Sequence, residues 1–316
     1  MQLPTLELMR SRLQETARGL PRRLRFATRL VAARATRRSA KCPYCGGRRW
    51  NIVATKFILL EVRRCLACGL MYRFPQERPD RARSYYQEEY DSFERGLVTQ
   101  LPSGEALEKL VATNFRGSQW DASDRIDMIS DELVNGRLLD YGCSWGYFLV
   151  QANARGFDVV GFEISASRAE FATRQLGLRV LTDSSQLHRL PPMSFDVIYA
   201  SHVLEHLDSP RPSFETFARL LRPGGILLVF VPNCGGESAR RLRLHWGPFS
   251  NEAHLLSFDA DFFQMNLPGH GFTVTCRSEP YSGSPQLAGD ELMVLARRDD
   301  PGPRSVLPPL TGGDSG

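Results

Sequence analysis

The hydrophobic pattern is strongest between residues 136 and 298, where short apolar runs alternate with amphipathic stretches. The runs VVGF, FDVIYA and ILLVFV have the continuous apolar character of strands buried on both faces. The stretches between them predict helices, so strands and helices alternate along the chain. This order predicts a parallel sheet with helices on both faces. FTVTCRS and ELMVLAR, near the end of this region, predict a closing antiparallel hairpin.

A glycine-containing turn lies early in this region, in LLDYGCSWGYFL at residues 138–149. We expect a short strand over residues 137–141 and a helix over residues 145–154. Gly142 and Gly146 lie at the turn between them, where the missing Cβ atoms let a ligand approach the backbone. The helix start also offers N–H groups and a partial positive charge. The turn is neither a P-loop, which needs Gly-Lys-Ser/Thr, nor the G-x-G-x-x-G dinucleotide fingerprint.

An acidic residue follows the next predicted strand. FDVVGFEIS at residues 157–165 predicts a buried strand followed by Glu163, about twenty residues after the glycine turn. A carboxylate at that position can accept hydrogen bonds from both hydroxyls of a ribose. A ribose site without a pyrophosphate site indicates a nucleoside that carries some other group.

With these residues in place, LLDYGCSWGYFL resembles the first motif of class I S-adenosylmethionine (SAM) methyltransferases, D-x-G-C-G-x-G. Asp183 in LTDSSQL resembles the acid that faces the adenine. FDVIYASHVLEHL at residues 195–207 resembles the fourth-strand motif, and LLRPGGILLVFVPN at residues 220–233 resembles the segment leading into the fifth strand. The resemblance covers about residues 136–297. It implies an α/β fold, namely a Rossmann-like seven-stranded sheet with helices on both faces, and SAM as the cofactor.

The resemblance also implies which residues bind the cofactor. They are Asp140, Gly142, Cys143, Ser144, Gly146, Glu163, Ile164, Asp183, Ser184 and Ser201. Ser144 departs from the family, which usually has its third glycine there, and a positive φ would cost serine about 1 kcal/mol. A turn-capping role explains Asp183 equally well, and a solvated helix start is the alternative for Glu163.

Three histidines are candidate general bases. Methyl transfer aligns the acceptor atom with the C–S bond about 3 Å from the methyl carbon, and an acceptor hydroxyl must also lose a proton, which suits histidine at neutral pH. His202 follows the predicted fourth strand, His254 lies in NEAHLLSF, and His245 precedes Trp246. His206, in the L-E-H-L segment, is interpreted as a packing or cofactor-loop residue.

Four cysteines upstream have the spacing C-x2-C-x19-C-x2-C, which is typical of a zinc ribbon. They are Cys42, Cys45, Cys65 and Cys68. The stretch WNIVATKFILLEV between the two pairs predicts a hairpin. Four sulfur ligands leave no open position, so the predicted Zn²⁺ is structural; a redox dithiol pair is the alternative. The odd total of seven cysteines favours a reducing compartment over a disulfide framework.

The ribbon and the segment after it have a resemblance of their own. A four-Cys ribbon followed by a Tyr-rich segment, here Tyr85, Tyr86 and Tyr90, resembles bacterial methyltransferases in which both precede the SAM domain. That group includes deoxysugar C-methyltransferases and enzymes encoded with surface-polysaccharide pathways. The resemblance therefore implies a sugar or another cell-envelope precursor as the acceptor, with the ribbon and linker covering the substrate cleft.

Positive charge is concentrated at the N-terminus. Residues 1–41 have a net charge of +9 and the remainder −4, which together give the overall +5. Apolar residues recur there at helical spacing among arginines, which fits a solvated or packed helix pair, a membrane-surface helix, or a nucleic-acid contact. No apolar run approaches the roughly 18 residues of a membrane span, and no secretory signal is apparent. We therefore expect a cytoplasmic protein with possible peripheral membrane contact through residues 1–40.

The predicted organisation has five parts. They are a basic helical arm (1–40), the zinc ribbon (41–75), a helical linker or lid (76–135), the SAM-dependent methyltransferase domain (136–298) and a disordered tail (299–316). Two functional alternatives stay open: an RNA methyltransferase that reads RNA through the ribbon, and a non-catalytic SAM-binding scaffold. A core that is not basic and has no N-P-P-Y/F motif argues against nucleic acid as the partner. Oxygen or carbon as the methylated atom, and the oligomeric state, stay open.

Overall fold

A computed structural model describes residues 41–56, 60–75, 101–251, 253–279 and 289–300. The predictions for the basic arm and the Tyr-rich segment lie outside these residues, as does all but the first two residues of the predicted tail. No helix within the described ranges is long and apolar enough to cross a membrane.

The described elements follow one another from a strand-rich N-terminal part into an alternating α/β part. The strands are β1 (Trp50–Lys56), β2 (Leu60–Cys65), β3 (Met71–Phe74), β4 (Gly136–Tyr141), β5 (Phe157–Phe162), β6 (Val180–Leu181), β7 (Phe195–Ser201), β8 (Leu221–Pro232), β9 (Leu256–Ser257), β10 (Phe272–Glu279) and β11 (Glu291–Arg298). The α-helices are α1 (Glu105–Ala112), α2 (Ser123–Glu132), α3 (Tyr147–Ala154), α4 (Ala166–Leu176), α5 (Ser184–Arg189), α6 (Arg211–Leu220), α7 (Glu237–Leu242), α8 (Gly247–Ser250) and α9 (Ala260–Asn266). Short 3₁₀ helices cover Leu204–His206, Arg243–His245 and Leu267–His270.

The central sheet has seven strands in the order β10-β11-β8-β7-β4-β5-β6. Pairing is parallel from β8 through β7, β4 and β5 to β6. Strand β11 lies between β8 and β10 and is antiparallel to both. This confirms the predicted seven-stranded Rossmann-like sheet and its closing hairpin.

The sheet separates two apolar layers. Neighbouring residues Leu138 and Leu139 on β4 are both fully buried but belong to different core clusters, because side chains alternate across a strand. Phe148 of α3 packs in one layer and Phe214 of α6 in the other. Burial on both faces explains why the central strands have continuous apolar runs.

Residues before β4 also contribute to this core. Ile126 and Ile129 of α2 are buried in the same layer as α3. The side chain of Gln151 accepts a hydrogen bond from Ala122 N (2.9 Å) and donates one to the Trp120 carbonyl (2.9 Å). The later part of the predicted linker is thus packed against the sheet.

The N-terminal sheet is antiparallel and has the order β1-β2-β3-β9. Strands β1 and β2 form the hairpin expected from the sequence. The fourth strand, β9, comes from the α/β part of the chain, where Leu256 and Ser257 pair with β3. Buried Cys42, Cys65 and Cys68 belong to the same core cluster as residues of α6 and α9. The ribbon is therefore built into the core of the molecule.

Candidate functional site

The residues predicted to bind the cofactor converge at one edge of the seven-stranded sheet. The parallel strands β6, β5, β4 and β7 are neighbours, so their carboxyl ends lie side by side. Glu163 follows β5, Asp183 follows β6, and Ser201 ends β7. The glycine turn, residues 142–146, follows β4. Ligands of open parallel sheets bind at this edge.

The two glycines of the turn are required by its geometry. Gly142 has φ +93° and Gly146 has φ +91°. A Cβ on Gly142 would lie 2.3 Å from Cγ2 of Val203, and one on Gly146 would lie 2.5 Å from Cδ1 of Leu178. The turn is also anchored to β5, because Gly142 N donates to the Phe162 carbonyl at 2.7 Å.

Ser144 does adopt the left-handed conformation, with φ +49°. Its backbone N–H donates to Glu163 Oε2 at 2.9 Å, and its Oγ accepts from the Arg168 guanidinium at 2.8 Å. Arg168 is only 1% exposed. The serine thus brings a hydrogen bond that a glycine could not make, and this bond opposes the cost of the strained backbone.

Glu163 is buried and faces the turn. Its Oε1 accepts from Ser165 N at 2.7 Å, and burial raises the pKa of Glu163. Burial, followed by the charge of Glu163, raises the pKa of the buried Asp140 well above its usual range. A carboxylate has about four acceptor positions, so Glu163 keeps capacity for ribose hydroxyls beyond its backbone donors. These acceptor oxygens, beside the glycine turn at the ligand-binding edge of the sheet, fit an adenosyl sulfonium.

The remaining predicted cofactor residues lie at the same edge with different exposures. Cys143 is buried, Ile164 and Ser201 are half-buried, and Asp183 and Ser184 are exposed. Asp183 caps α5: its side chain accepts from Ser185 N at 2.7 Å, and Gln186 bonds back to the Asp183 N–H at 3.1 Å. Asp183 therefore has the helix-capping role that was one of its two predicted roles. Its contact with the adenine stays a prediction.

His202 has an environment that opposes the predicted role of general base. Its Nδ1 lies 3.2 Å from Glu205 Oε1 and its Nε2 lies 2.8 Å from Glu291 Oε1. Burial alone would lower the pKa of His202, but the hydrogen bonds to these two carboxylates outweigh it and raise the pKa to about 9. At neutral pH the ring is a cation between two carboxylates, and it has no lone pair with which to take a proton.

Glu291 is the partner of His202 that the sequence reasoning missed. It is 0% exposed, lies at the start of β11, and also pairs with Arg125 of α2. Although burial raises the pKa of Glu291, the hydrogen bond from His202 and the charge of Arg125 hold it below its usual value. The signal was weak, because an acid before an apolar strand is common.

A second group of side chains lies just beyond His202. Glu205, His206 and His254 each place one ligand atom within 4.8 Å of the others. The rings of His206 and His254 meet edge to face with centroids 4.7 Å apart. Burial, followed by the charge of His206, lowers the pKa of His254 to about 3, so this ring is neutral. Adjacent Glu and His in L-E-H-L could have suggested the group, but the sequence interpretation made His206 a packing or cofactor-loop residue.

The segment that carries His254 is held by the ribbon. Arg73 N donates to the Leu255 carbonyl at 3.0 Å, and the Arg73 guanidinium donates to the Asn251 carbonyl at 3.0 Å. Strand β3 pairs with β9 immediately afterwards. His245, the third candidate base, is exposed on its 3₁₀ helix beside buried Trp246.

The four ribbon cysteines form one cluster, with all four Sγ atoms within 4.8 Å of one another. Cys42 and Cys68 are 3.5 Å apart at sulfur, as are Cys45 and Cys65. A tetrahedral Zn²⁺ with Zn–S bonds of about 2.3 Å needs sulfurs about 3.8 Å apart, so the cluster fits that ion. The two C-x-x-C segments form the same kind of turn. Gly46 N donates to the Cys42 carbonyl in the first, and Gly69 N donates to the Cys65 carbonyl in the second, both at 3.0 Å.

Comparison with known proteins gives matches centred on the sheet. Residues 118–277, just over half of the chain, match the family model described as a methyltransferase domain. The malonyl-[acyl-carrier protein] O-methyltransferase of Serratia marcescens is 26% identical over 141 residues, covering 44% of this chain and 54% of that protein. The ubiquinone biosynthesis O-methyltransferase of Azoarcus sp. is 30% identical over 117 residues, covering 34% of this chain and 50% of that protein.

The chain thus spans about half the length of these curated relatives. Among solved structures, a SAM-dependent methyltransferase from Archaeoglobus fulgidus matches with a TM-score of 0.48 and 18% identity, covering 60% of this chain and 99% of that one.

Proposed function

The chain belongs to the methyltransferase domain family of class I SAM-dependent enzymes, and on that premise we propose that it transfers the methyl group of SAM to a small-molecule acceptor, a sugar or another cell-envelope precursor. The observation that carries the proposal is the joining of Glu163 to the glycine turn through Ser144 N. This contact puts a buried carboxylate beside the glycine turn at the ligand-binding edge of the sheet.

The chain's own residues supply positioning at the cofactor. Glu163 accepts hydrogen bonds from the ribose hydroxyls, and Gly142 and Gly146 allow the left-handed turn that packs tightly against Val203 and Leu178. Bound SAM supplies an electrophilic methyl carbon on a sulfonium. The remaining requirement is an acceptor atom held in line with the C–S bond, because alignment supplies much of the rate.

The acceptor side is formed by the segments after β7 and before β9. Val203 packs against Gly142, so the 3₁₀ helix Leu204–His206 begins directly beside the cofactor turn. His254 is joined to this helix, because Leu255 N donates to the Glu205 carbonyl at 2.8 Å. His254, one of the three predicted bases, therefore lies beside this helix, and its lowered pKa keeps the ring neutral.

The interior contacts of the ribbon favour a small acceptor over RNA. Arg63 lies against the rings of Trp50 and Phe74 and pairs with Glu61 at 2.7 Å. Arg64 pairs with Asp259 at 2.7 Å. A ribbon that reads RNA needs basic and aromatic side chains available on its surface. Arg63 and Arg64 instead bind the ribbon's own strands and the start of α9.

The four-cysteine cluster supports a structural Zn²⁺ in the ribbon, held by Cys42, Cys45, Cys65 and Cys68. With four sulfur ligands the ion has no open position. Its role in the proposal is mechanical, because it fixes β3 and thereby the residues around His254.

The proposal is tested by incubating the purified protein with SAM and a panel of nucleotide sugars, quinols, acyl-carrier substrates and RNA, with detection by mass spectrometry. We expect one methyl group to be added to a sugar, and the Glu163→Ala variant to lose the transfer together with SAM binding. Transfer to a quinol, an acyl carrier or RNA alone would refute the sugar assignment. SAM binding without transfer to any acceptor would favour the scaffold, and no SAM binding by calorimetry would refute the cofactor site.

A further inference from the structure

We infer that Glu205, His206 and His254 form a second metal site, one that binds a divalent first-row transition-metal ion such as Zn²⁺. One ligand atom from each residue lies within 4.8 Å of the other two. Two imidazoles with one carboxylate is a donor set of catalytic zinc and non-haem iron sites, whereas Mg²⁺ and Ca²⁺ prefer oxygen ligands.

The orientation of His206 fits a metal ligand. Its Nδ1 lies 3.1 Å from the carbonyl oxygen of Ala253. A carbonyl can only accept, so Nδ1 carries the hydrogen and the lone pair is at Nε2. Histidines that bind metals almost always have such a bond from the other ring nitrogen. Nε2 is the atom that faces Glu205, 4.0 Å from Oε1.

Glu205 has an oxygen in need of a partner. Its side chain is 1% exposed and its Oε1 contacts His202 Nδ1. Within the described residues, its Oε2 is buried and makes no hydrogen bond. A buried charged acceptor without a partner destabilises the fold, and a bound cation would remove that penalty.

The distances within the group suit an ion better than direct hydrogen bonds. The 4.0 Å between His206 Nε2 and Glu205 Oε1 is too long for a hydrogen bond. The oxygen that makes no hydrogen bond, Oε2, belongs to the same carboxylate, and two metal–ligand bonds of about 2.1 Å each span a separation of this size. His254 is preorganised beside them, because Ala253 and Leu255, on either side of it, bond to His206 and to the Glu205 backbone.

The position of the site gives the ion a role, and this part of the inference rests on the proposed function. Val203, two residues before Glu205, contacts Gly142 of the cofactor turn. Three protein ligands leave positions open for an acceptor hydroxyl, whose pKa coordination lowers. The hydroxyl loses its proton to solvent, and its oxygen forms the bond to the methyl carbon. The C–S bond breaks, its electron pair stays on sulfur, and neutral demethylated cofactor leaves.

The test uses the full-length protein after dialysis against a mild chelator. Metal analysis should then show one Zn²⁺ per chain, because four thiolate ligands retain the ion against a mild chelator. Calorimetric titration with ZnCl₂ should show one further equivalent in the wild type. His254→Gln and Glu205→Gln should each weaken this binding at least tenfold, while His188→Gln, on an exposed residue of α5, should leave it unchanged.

SAM binding by each variant shows that the variant is folded. If one of the two variants does not bind SAM, the Zn²⁺ affinity of the other variant tests the metal site. The inference is overturned if the wild type takes up no further Zn²⁺, Mn²⁺ or Co²⁺, or if both variants bind as tightly as the wild type. Methyl transfer by protein that lacks the second ion would refute the ion's role in the reaction and leave the proposed function standing. If the wild type does not bind SAM, the proposed function is refuted. The ZnCl₂ titration would still decide the metal site.

Discussion

Two substitutions of Ser144 can separate the backbone strain of the cofactor turn from the hydrogen bond that opposes it. Its positive φ of +49° costs a residue with a Cβ about 1 kcal/mol relative to glycine. Its hydroxyl accepts a hydrogen bond from the guanidinium of Arg168, which is 1% exposed. Hydrogen bonds to charged groups contribute about 1.5–3 kcal/mol. The bond should therefore outweigh the strain.

Ser144→Ala removes the bond and keeps the strain, so it should lower the free energy of unfolding by about 1.5–3 kcal/mol. Ser144→Gly removes both, so it should be about 1 kcal/mol more stable than the alanine variant and still less stable than wild type. Urea unfolding with linear extrapolation measures both differences. Equal stabilities for the two variants would show that the turn is not strained. A glycine variant more stable than wild type would show that the Arg168 bond does not outweigh the strain.

Three other perturbations have defined outcomes. Gly142→Ala should destabilise the fold by more than about 2 kcal/mol and abolish SAM binding, because the new Cβ would lie 2.3 Å from Cγ2 of Val203. Gly177→Ala is the control: its Cβ would have nothing within 4 Å, so the change should cost only about 1 kcal/mol of left-handed backbone strain. Cys45→Ser should release Zn²⁺ and speed amide hydrogen exchange around β9 with SAM affinity kept, whereas Cys276→Ser, outside the cluster, should do neither. Because burial raises the pKa of Glu163, its contribution to stability is full below the ordinary glutamate pKa and is lost as pH rises through the raised one. SAM binding needs the ionised form of Glu163, so the affinity for SAM should fall as the pH is lowered. Calorimetry at several pH values measures this, and an affinity that does not change with pH would contradict it.

The features that the sequence could predict depend on local pattern. Buried strands have continuous apolar runs, so the parallel sheet was predictable. The distance from the glycine turn to Glu163 follows from one strand–helix–strand unit, and paired C-x-x-C motifs predict their own turns.

The features that could not be predicted depend on contacts between distant segments. His202 bonds to Glu291, 89 residues away, because β11 inserts beside β8. Without that contact the imidazole looks like a free base. The two-residue strand β9 is too short to show any periodicity. The core that the ribbon shares with α6 and α9 was equally invisible, because a four-Cys spacing gives no sign of what its outer surface packs against.

The strand that β9 contributes to the ribbon has a consequence for biosynthesis. The ribbon's four cysteines leave the ribosome well before β9, and the proposed Zn²⁺ would bind them as a local unit. The strand that completes the ribbon's sheet follows much later, because Leu256 and Ser257 pair with Tyr72 and Met71 of β3. Until β9 is translated, strand β3 is therefore an unpaired edge of the ribbon sheet. An unpaired edge strand can pair with other chains. Slow translation between these segments, or truncation before residue 256, should promote aggregation of the nascent chain.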